Sequence, residues 1–161
     1  LVAGLPARFR REEAMRAEPV ESSSPHRGKA AAIAIPRLLI VEDDPFIAQA
    51  VCKYARKMGY APRVANDGLS GIKLAEQEQP DVILLDIALP GLDGRDVLVR
   101  LRKLGVAQRA VVIFLTARDG QSDRLMGLEL GAADYETKPM QLSLLFSKVD
   151  KLLEKKRRGE I

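Results

Sequence analysis

From Arg37 onward the sequence predicts an α/β domain, a parallel sheet covered by helices on both faces. Two observations carry that prediction. Short apolar runs alternate strictly with segments of helical period, and parallel strands need crossovers of a dozen or more residues between them. The runs "VILLD" and "VVIFL" are apolar on both faces, as strands buried between two helical layers must be, where a half-exposed strand would alternate.

The elements follow in order. "RLLIVE" reads as the first strand, and "PFIAQAVCKYARKMG" as a helix opened by Pro45 and closed by Gly59. "YAPRVA" is the second strand, followed by the helix "DGLSGIKLAEQEQ", which Asp67 starts. "DVILLD" leads to "GRDVLVRLRKLG", ended by Gly105, and "AVVIFL" leads to "QSDRLMGLELG", ended by Gly131. "ADYETK" is the fifth strand and "QLSLLFSKVDKLLEKK" the fifth helix. On that last helix Leu142, Leu145, Val149 and Leu152 recur at spacings of three and four and are expected to face the sheet. Leu144, Lys148, Lys151 and Lys155 are then the outer stripe. Cys52, Met58 and Met126 fall on apolar helical faces and are assigned to the core.

The flanks have a different composition. Residues 1–36 mix Arg, Glu, Ser, Pro and Ala without a lasting period, which predicts a disordered tail ahead of a domain over residues 37–154. Residues 155–161 form a basic end, and Leu1 is not a methionine. The formal charge of +4 belongs to these ends. Six cationic side chains face four acidic ones in residues 1–36, and four face one in residues 155–161, so the domain between carries a net −1. Solvated termini explain such runs without nucleic acid.

Composition excludes several classes. A hydrophobic share of 47% suffices for a packed core. The single Cys52 rules out a disulfide framework or a cysteine zinc site, and a reducing, cytoplasmic setting is expected. No run approaches the roughly 18 apolar residues of a membrane helix, and no apolar h-region follows Arg8, Arg10 and Arg11. His26 lies in the tail without a partner that would make it a ligand or a base.

In a doubly wound fold, ligands bind outside the carboxyl ends of the strands. Glu42 and Asp43 close the first strand, Asp86 the third and Thr116 the fourth, while Lys138 follows the fifth. Alone, each has an ordinary reading as a solvated loop acid, a helix cap, a β-branched strand residue or a surface cation. Together they deliver three carboxylates, a hydroxyl and an ammonium to one edge, a set suited to a hard divalent cation such as Mg²⁺ shared with a phosphate. Asp44 is read instead as an N-cap ahead of Pro45.

The motifs "LLIVEDD", "DVILLDIALPGLDG", "VVIFLTA" and "LGAADYETKP", in this order, resemble the receiver domain of two-component response regulators over about residues 37–154. The resemblance implies a flavodoxin-like, CheY-like fold with strand order 2-1-3-4-5. The fourth helix and fifth strand are most similar to receivers of the OmpR/PhoB type. It further implies that Asp86 is the phosphoacceptor, taking a phosphoryl group from a sensor histidine kinase or a histidine phosphotransfer protein. Glu42 and Asp43 would hold Mg²⁺ with one oxygen of Asp86 and the backbone carbonyl of Ala88. Thr116 would donate to a phosphoryl oxygen, Ala117 would leave room for it, and Lys138 would pair with the carboxylate and then the phosphate. The Lys138–Pro139 bond would be cis, Tyr135 would be the switch aromatic, and "LPGLDG" would form the turn after the acceptor. Such a domain is no enzyme in the ordinary sense, but promotes its own phosphorylation and dephosphorylation.

Rival readings fit less well. A phosphatase with an Asp nucleophile needs a second acid two residues on, where this chain has Ala88, and a flavodoxin-type phosphate loop is missing after the first strand. An inert pseudo-receiver would have lost an acid or the lysine. In OmpR/PhoB-type receivers the positions of Leu144 and Ala133 are usually Glu and Asp, which take part in a dimer through the fourth helix, fifth strand and fifth helix. With Arg124, Glu129, Asp134 and Lys148 retained but those two acids gone, self-association is expected to be weak. The face is expected to serve another protein partner. The output expected is that of a stand-alone receiver, with neither nucleic acid nor membrane bound by this chain. The alternative is the receiver portion of a larger, DNA-binding regulator.

Overall fold

The computed structural model describes residues 34–117 and 128–161. The expectations for the tail before residue 34, and for Arg124 and Met126 in the fourth helical segment, lie outside the described residues.

Among the described residues there are five strands and four helices, alternating as far as β4: β1 (Arg37–Val41), α1 (Pro45–Lys57), β2 (Ala61–Ala65), α2 (Gly68–Glu78), β3 (Val82–Asp86), α3 (Gly94–Lys103), β4 (Val111–Thr116), β5 (Asp134–Thr137) and α4 (Leu142–Arg157). Leu128 and Glu129, at the end of the fourth helical segment of the sequence, are also helical. All neighbouring strands are parallel, in the order β2-β1-β3-β4-β5. Successive strands therefore step first to one side of β1 and then to the other, which opens a crevice at the carboxyl ends of β1 and β3.

The period-2 geometry of the strands divides the core into two layers. Leu38 and Ile40 of β1, Val82 and Leu84 of β3, and Val111, Ile113 and Leu115 of β4 pack with Val51 and Ala55 of α1 and with Leu145, Phe146 and Val149 of α4. Leu39, Val41, Ile83, Leu85, Val112 and Phe114 pack against Val97, Leu98 and Leu101 of α3 and Ala75 of α2. Both faces of the central strands are thus dry, the physical reason their sequences do not alternate. Edge strand β2 bonds to β1 through Ala61 and Ala65, so the backbone N–H and C=O groups of its even-numbered residues face the free edge. Pro62 therefore spends its missing N–H on the free edge, where it also blunts strand addition.

Two core assignments need correction. The buried stripe of α4 is Leu145, Phe146, Val149 and Leu153, while Leu142 and Leu152 pack half-buried against the same core at its margin. The helix is rotated so that its bulkiest ring, Phe146, packs on Tyr54 and Tyr60. Met58 is 42% exposed because the helix α1 ends at Lys57, whereas Cys52 is half-buried and packs against the core beside Val51 and Ala55, as expected.

Candidate functional site: an acidic pocket at the ends of β1, β3 and β5

Local rules of chain folding bring the site together. Asp44 leaves the acidic run to cap α1, its Oδ1 accepting from the N–H groups of Phe46 and Ile47 at 2.9 and 3.3 Å. Asp93 caps α3 by accepting from the Arg95 N–H, and Arg95 holds its carboxyl below the usual carboxylate range. Between β3 and α3 the turn places Gly91 at φ +77°, in the left-handed region that favours glycine. Gly94 then brings the start of α3 against the backbone of Asp86. An added Cβ there would meet the Asp86 carbonyl oxygen at 2.1 Å.

The pocket is buried and strongly paired. Glu42 is fully buried, Asp86 is 4% exposed and Thr116 3%, while Asp43 is exposed at the rim. Lys138 donates from Nζ to both carboxylate oxygens of Glu42, at 2.7 and 2.8 Å, and to Oδ2 of Asp86 at 2.9 Å. Its partner is thus first Glu42 and then the Asp86 carboxylate, where the sequence pointed to Asp86. The N–H of Ala88 donates to Oδ1 of Asp86 at 3.0 Å, so both acceptor oxygens are engaged. Thr116 donates from Oγ1 to the Ala117 carbonyl at 3.2 Å, and the backbone N–H of Lys138 donates to the Thr116 carbonyl at 2.7 Å. The Lys138–Pro139 peptide is cis, and Ala117 is exposed.

Electrostatics mark the crowding. Burial, with the neighbouring Asp86 carboxylate, pushes the Glu42 carboxyl up to about 7 against the pull of Lys138. Burial also opposes the charge on Lys138, but the two carboxylates outweigh it and hold its pKa above the usual lysine value. One oxygen from each of Glu42, Asp43 and Asp86 lies within 4.8 Å of the others. Three hard oxygen donors at that spacing, two of them buried, fit a small divalent cation that keeps part of its water shell.

The partner-face residues are arranged differently from the simple outer stripe. Leu144 is 62% exposed, whereas Lys148 is half-buried and pairs with Asp134 and Glu136 of β5. Tyr135 is half-buried against the α2–α3 side of the core, and Glu129 is exposed. Sequence reasoning placed Asp93 and Gly94 in the turn after the acceptor without their roles, and missed the part played by Glu136. The signal for Asp93 was its place just before a glycine-started helix. Glu136 carried none, because its partner is twelve residues away on another element.

A doubly wound sheet with carboxylates at the ends of β1 and β3 and a lysine after β5 defines a class, and the comparisons give its family. The model of the response regulator receiver domain family matches residues 38–150, and the chain belongs to that family. It is the receiver domain of two-component response regulators. The chain is 44% identical over 124 residues to the transcriptional activator protein IrlR of Burkholderia pseudomallei, covering 77% of this chain and 52% of that protein. It is 40% identical over 121 residues to the DNA-binding dual master transcriptional regulator RpaA of Synechocystis, covering 75% and 50%. The chain therefore spans about half the length of these curated relatives. Among solved structures, the receiver domain of the Francisella response regulator 1452 is 34% identical with a TM-score of 0.69, covering 74% of this chain and 98% of that one. The receiver domain of sensor histidine kinase PA1611 of Pseudomonas aeruginosa, solved with a magnesium ion coordinated in its active site cleft, is 31% identical with a TM-score of 0.69, covering 75% and 99%.

Proposed function

We propose that Asp86 is a phosphoacceptor, receiving its phosphoryl group from a phosphohistidine on a sensor histidine kinase or histidine phosphotransfer protein. The observation that carries this reading is the Lys138 ammonium held between Glu42 and Asp86 at the crevice of the sheet. Mg²⁺ held by Glu42, Asp43, Asp86 and the Ala88 carbonyl would supply charge neutralisation for the incoming phosphoryl oxygens. The chain does the positioning. An Asp86 oxygen forms the new P–O bond as the P–N bond of the donor breaks, and the departing imidazole takes a proton from solvent. Lys138 stays beside the acyl phosphate as its counter-ion. The Thr116 hydroxyl is free to rotate from the Ala117 carbonyl towards a phosphoryl oxygen, and small Ala117 leaves space for it. As Thr116 moves, the half-buried Tyr135 ring turns further inward. Labelling with acetyl phosphate tests this. The parent is expected to take one phosphoryl group only with Mg²⁺ present, and Asp86→Asn none; undiminished label on that variant would overturn the assignment.

For the output we propose the face of β5 and α4, together with Arg124 and Glu129. A groove of about 680 Å³ runs there past Leu144, Lys151 and Lys155. The exposed leucine and lysines suit a protein partner carrying apolar and acidic groups, with self-association weak. Sedimentation with a beryllofluoride mimic of phosphorylation checks this, since tight dimerisation of the parent, unchanged by Leu144→Glu, would contradict it. We take the receiver to span residues 37–154, between an N-terminal tail and a basic end, and to work in the cytoplasm. Among the described residues no helix is long and apolar enough to cross a membrane. The half-length match to transcriptional regulators favours a second reading, in which this receiver controls a DNA-binding portion of a larger protein. The intact mass of the protein isolated from its source decides between the two.

A further inference from the structure

Lys148 lies on α4, one turn beyond Leu144, and reaches the edge strand β5. Its Nζ donates to a Glu136 carboxylate oxygen at 2.8 Å and to the Tyr135 carbonyl at 3.1 Å. The same ammonium is 3.5 Å from an Asp134 carboxylate oxygen and 5.9 Å from the centroid of the Tyr135 ring. Three consecutive residues of β5 therefore converge on one cation. Burial opposes the charge there, yet the two carboxylates hold the pKa of Lys148 above the usual lysine value. β5 needs such an anchor. It is the outermost strand, bonded in the sheet to β4 alone, and each of its four residues is only half-buried. One residue past its end stands Lys138, whose ammonium crosses the acidic pocket.

We propose that Lys148 is a positioning residue: it latches β5 to α4, and through β5 it sets the reach of Lys138 into the pocket and the placement of the Tyr135 ring. The inference rests on the phosphoacceptor reading of Asp86. It also gives the partner face a physical route to the pocket. A carboxylate on a partner protein that draws Lys148 away from Glu136 loosens β5, and by linkage the state of the pocket biases the availability of Lys148 in return.

The test compares the parent with Lys148→Met, Glu136→Gln, the double variant and Lys148→Arg, using two readouts. Amide hydrogen exchange in the metal-free protein reports on β5, and the rate of labelling by acetyl phosphate with Mg²⁺ reports on the pocket. Each single variant is expected to speed exchange at Glu136 and Lys138, whose N–H groups face β4, about tenfold, with Leu39 and Ile83 unchanged. Labelling is expected to slow about threefold, the size of effect a coupling residue carries. The double variant should be no worse than Lys148→Met, since that substitution already removes the Glu136 contact along with those to Asp134 and the Tyr135 carbonyl, and Lys148→Arg should restore both readouts. The proposal is overturned if the effects of the two singles add, if Lys148→Arg behaves as Lys148→Met, or if labelling stays at the parent rate, whether or not exchange quickens. A parent that takes no label would instead overturn the phosphoacceptor reading, and the latch with it.

Discussion

Gly94→Ala separates packing at the acceptor from helix propensity, because the two predict opposite signs. Gly94 is the first residue of α3, where alanine is the better helix former, and propensity alone predicts a gain of up to about 1 kcal/mol. The surroundings predict a loss. An ideal Cβ at Gly94 would stand 2.1 Å from the Asp86 carbonyl oxygen and 2.8 Å from the Ile87 Cα, both backbone atoms that no side-chain rotation can clear. Restoring contact distance needs a displacement on the order of 1 Å between α3 and β3, when overpacking of this kind typically costs about 1–3 kcal/mol. The displacement also pulls on the Gly94 N–H to Ile87 carbonyl bond, now 2.9 Å, and on Val97, Leu98 and Leu101, all fully buried. Set against the propensity gain, a net loss of about 2 kcal/mol lowers the melting temperature of a domain of this size by roughly 7 °C. Gly91→Ala is the control. Nothing lies within 4 Å of its added Cβ, so only the strain of φ +77° remains, at about 1 kcal/mol. Thermal melts followed by circular dichroism decide the matter. A Gly94→Ala melt within about 3 °C of the parent, or above that of Gly91→Ala, would refute the close approach of α3 to the acceptor.

Three further outcomes follow from the same geometry. Because the folded-state pKa of Glu42 is raised to about 7 from an ordinary 4.5, the folded form binds its proton more tightly between those values. Stability of the metal-free protein therefore falls as pH rises through that window, and urea titrations should show the slope flattened in Glu42→Gln. Millimolar Mg²⁺ should raise the melting temperature by binding the folded form, and Asp43→Asn should stabilise the metal-free protein while removing the response, as calorimetry with and without Mg²⁺ would show. Asp44→Ala should cost about 1 kcal/mol as a lost cap, yet leave the Mg²⁺ response intact, since Asp44 serves α1.

Much of the molecule was legible because its signals are local. The dry strands announce themselves in "VILLD" and "VVIFL", and the crossovers between strands dictate parallel pairing. The pocket was legible because Glu42, Asp43, Asp86, Thr116 and Lys138 each terminate or follow a strand, and a parallel sheet gathers such residues on one edge. What escaped depends on contacts between elements. Spacing on α4 suggested Leu142 and Leu152 for the core, but only the fit of Phe146 against Tyr54 and Tyr60 decides the rotation of that helix. Met58 continued an apolar pattern past the point where the helix ended. Gly94 looked like any helix start until the backbone of Asp86 was seen beneath it, and Glu136 found its cation on α4.

The central claim is that Asp86 carries the phosphoryl group, and an acyl phosphate can be trapped in place. Borohydride reduces an aspartyl phosphate to homoserine, which tandem mass spectrometry of the digested protein locates by residue. After acetyl phosphate and Mg²⁺, the account predicts homoserine at position 86 and at no other acid, with none when Mg²⁺ is withheld. Homoserine at position 43, or at position 86 to the same extent without the metal, would contradict it.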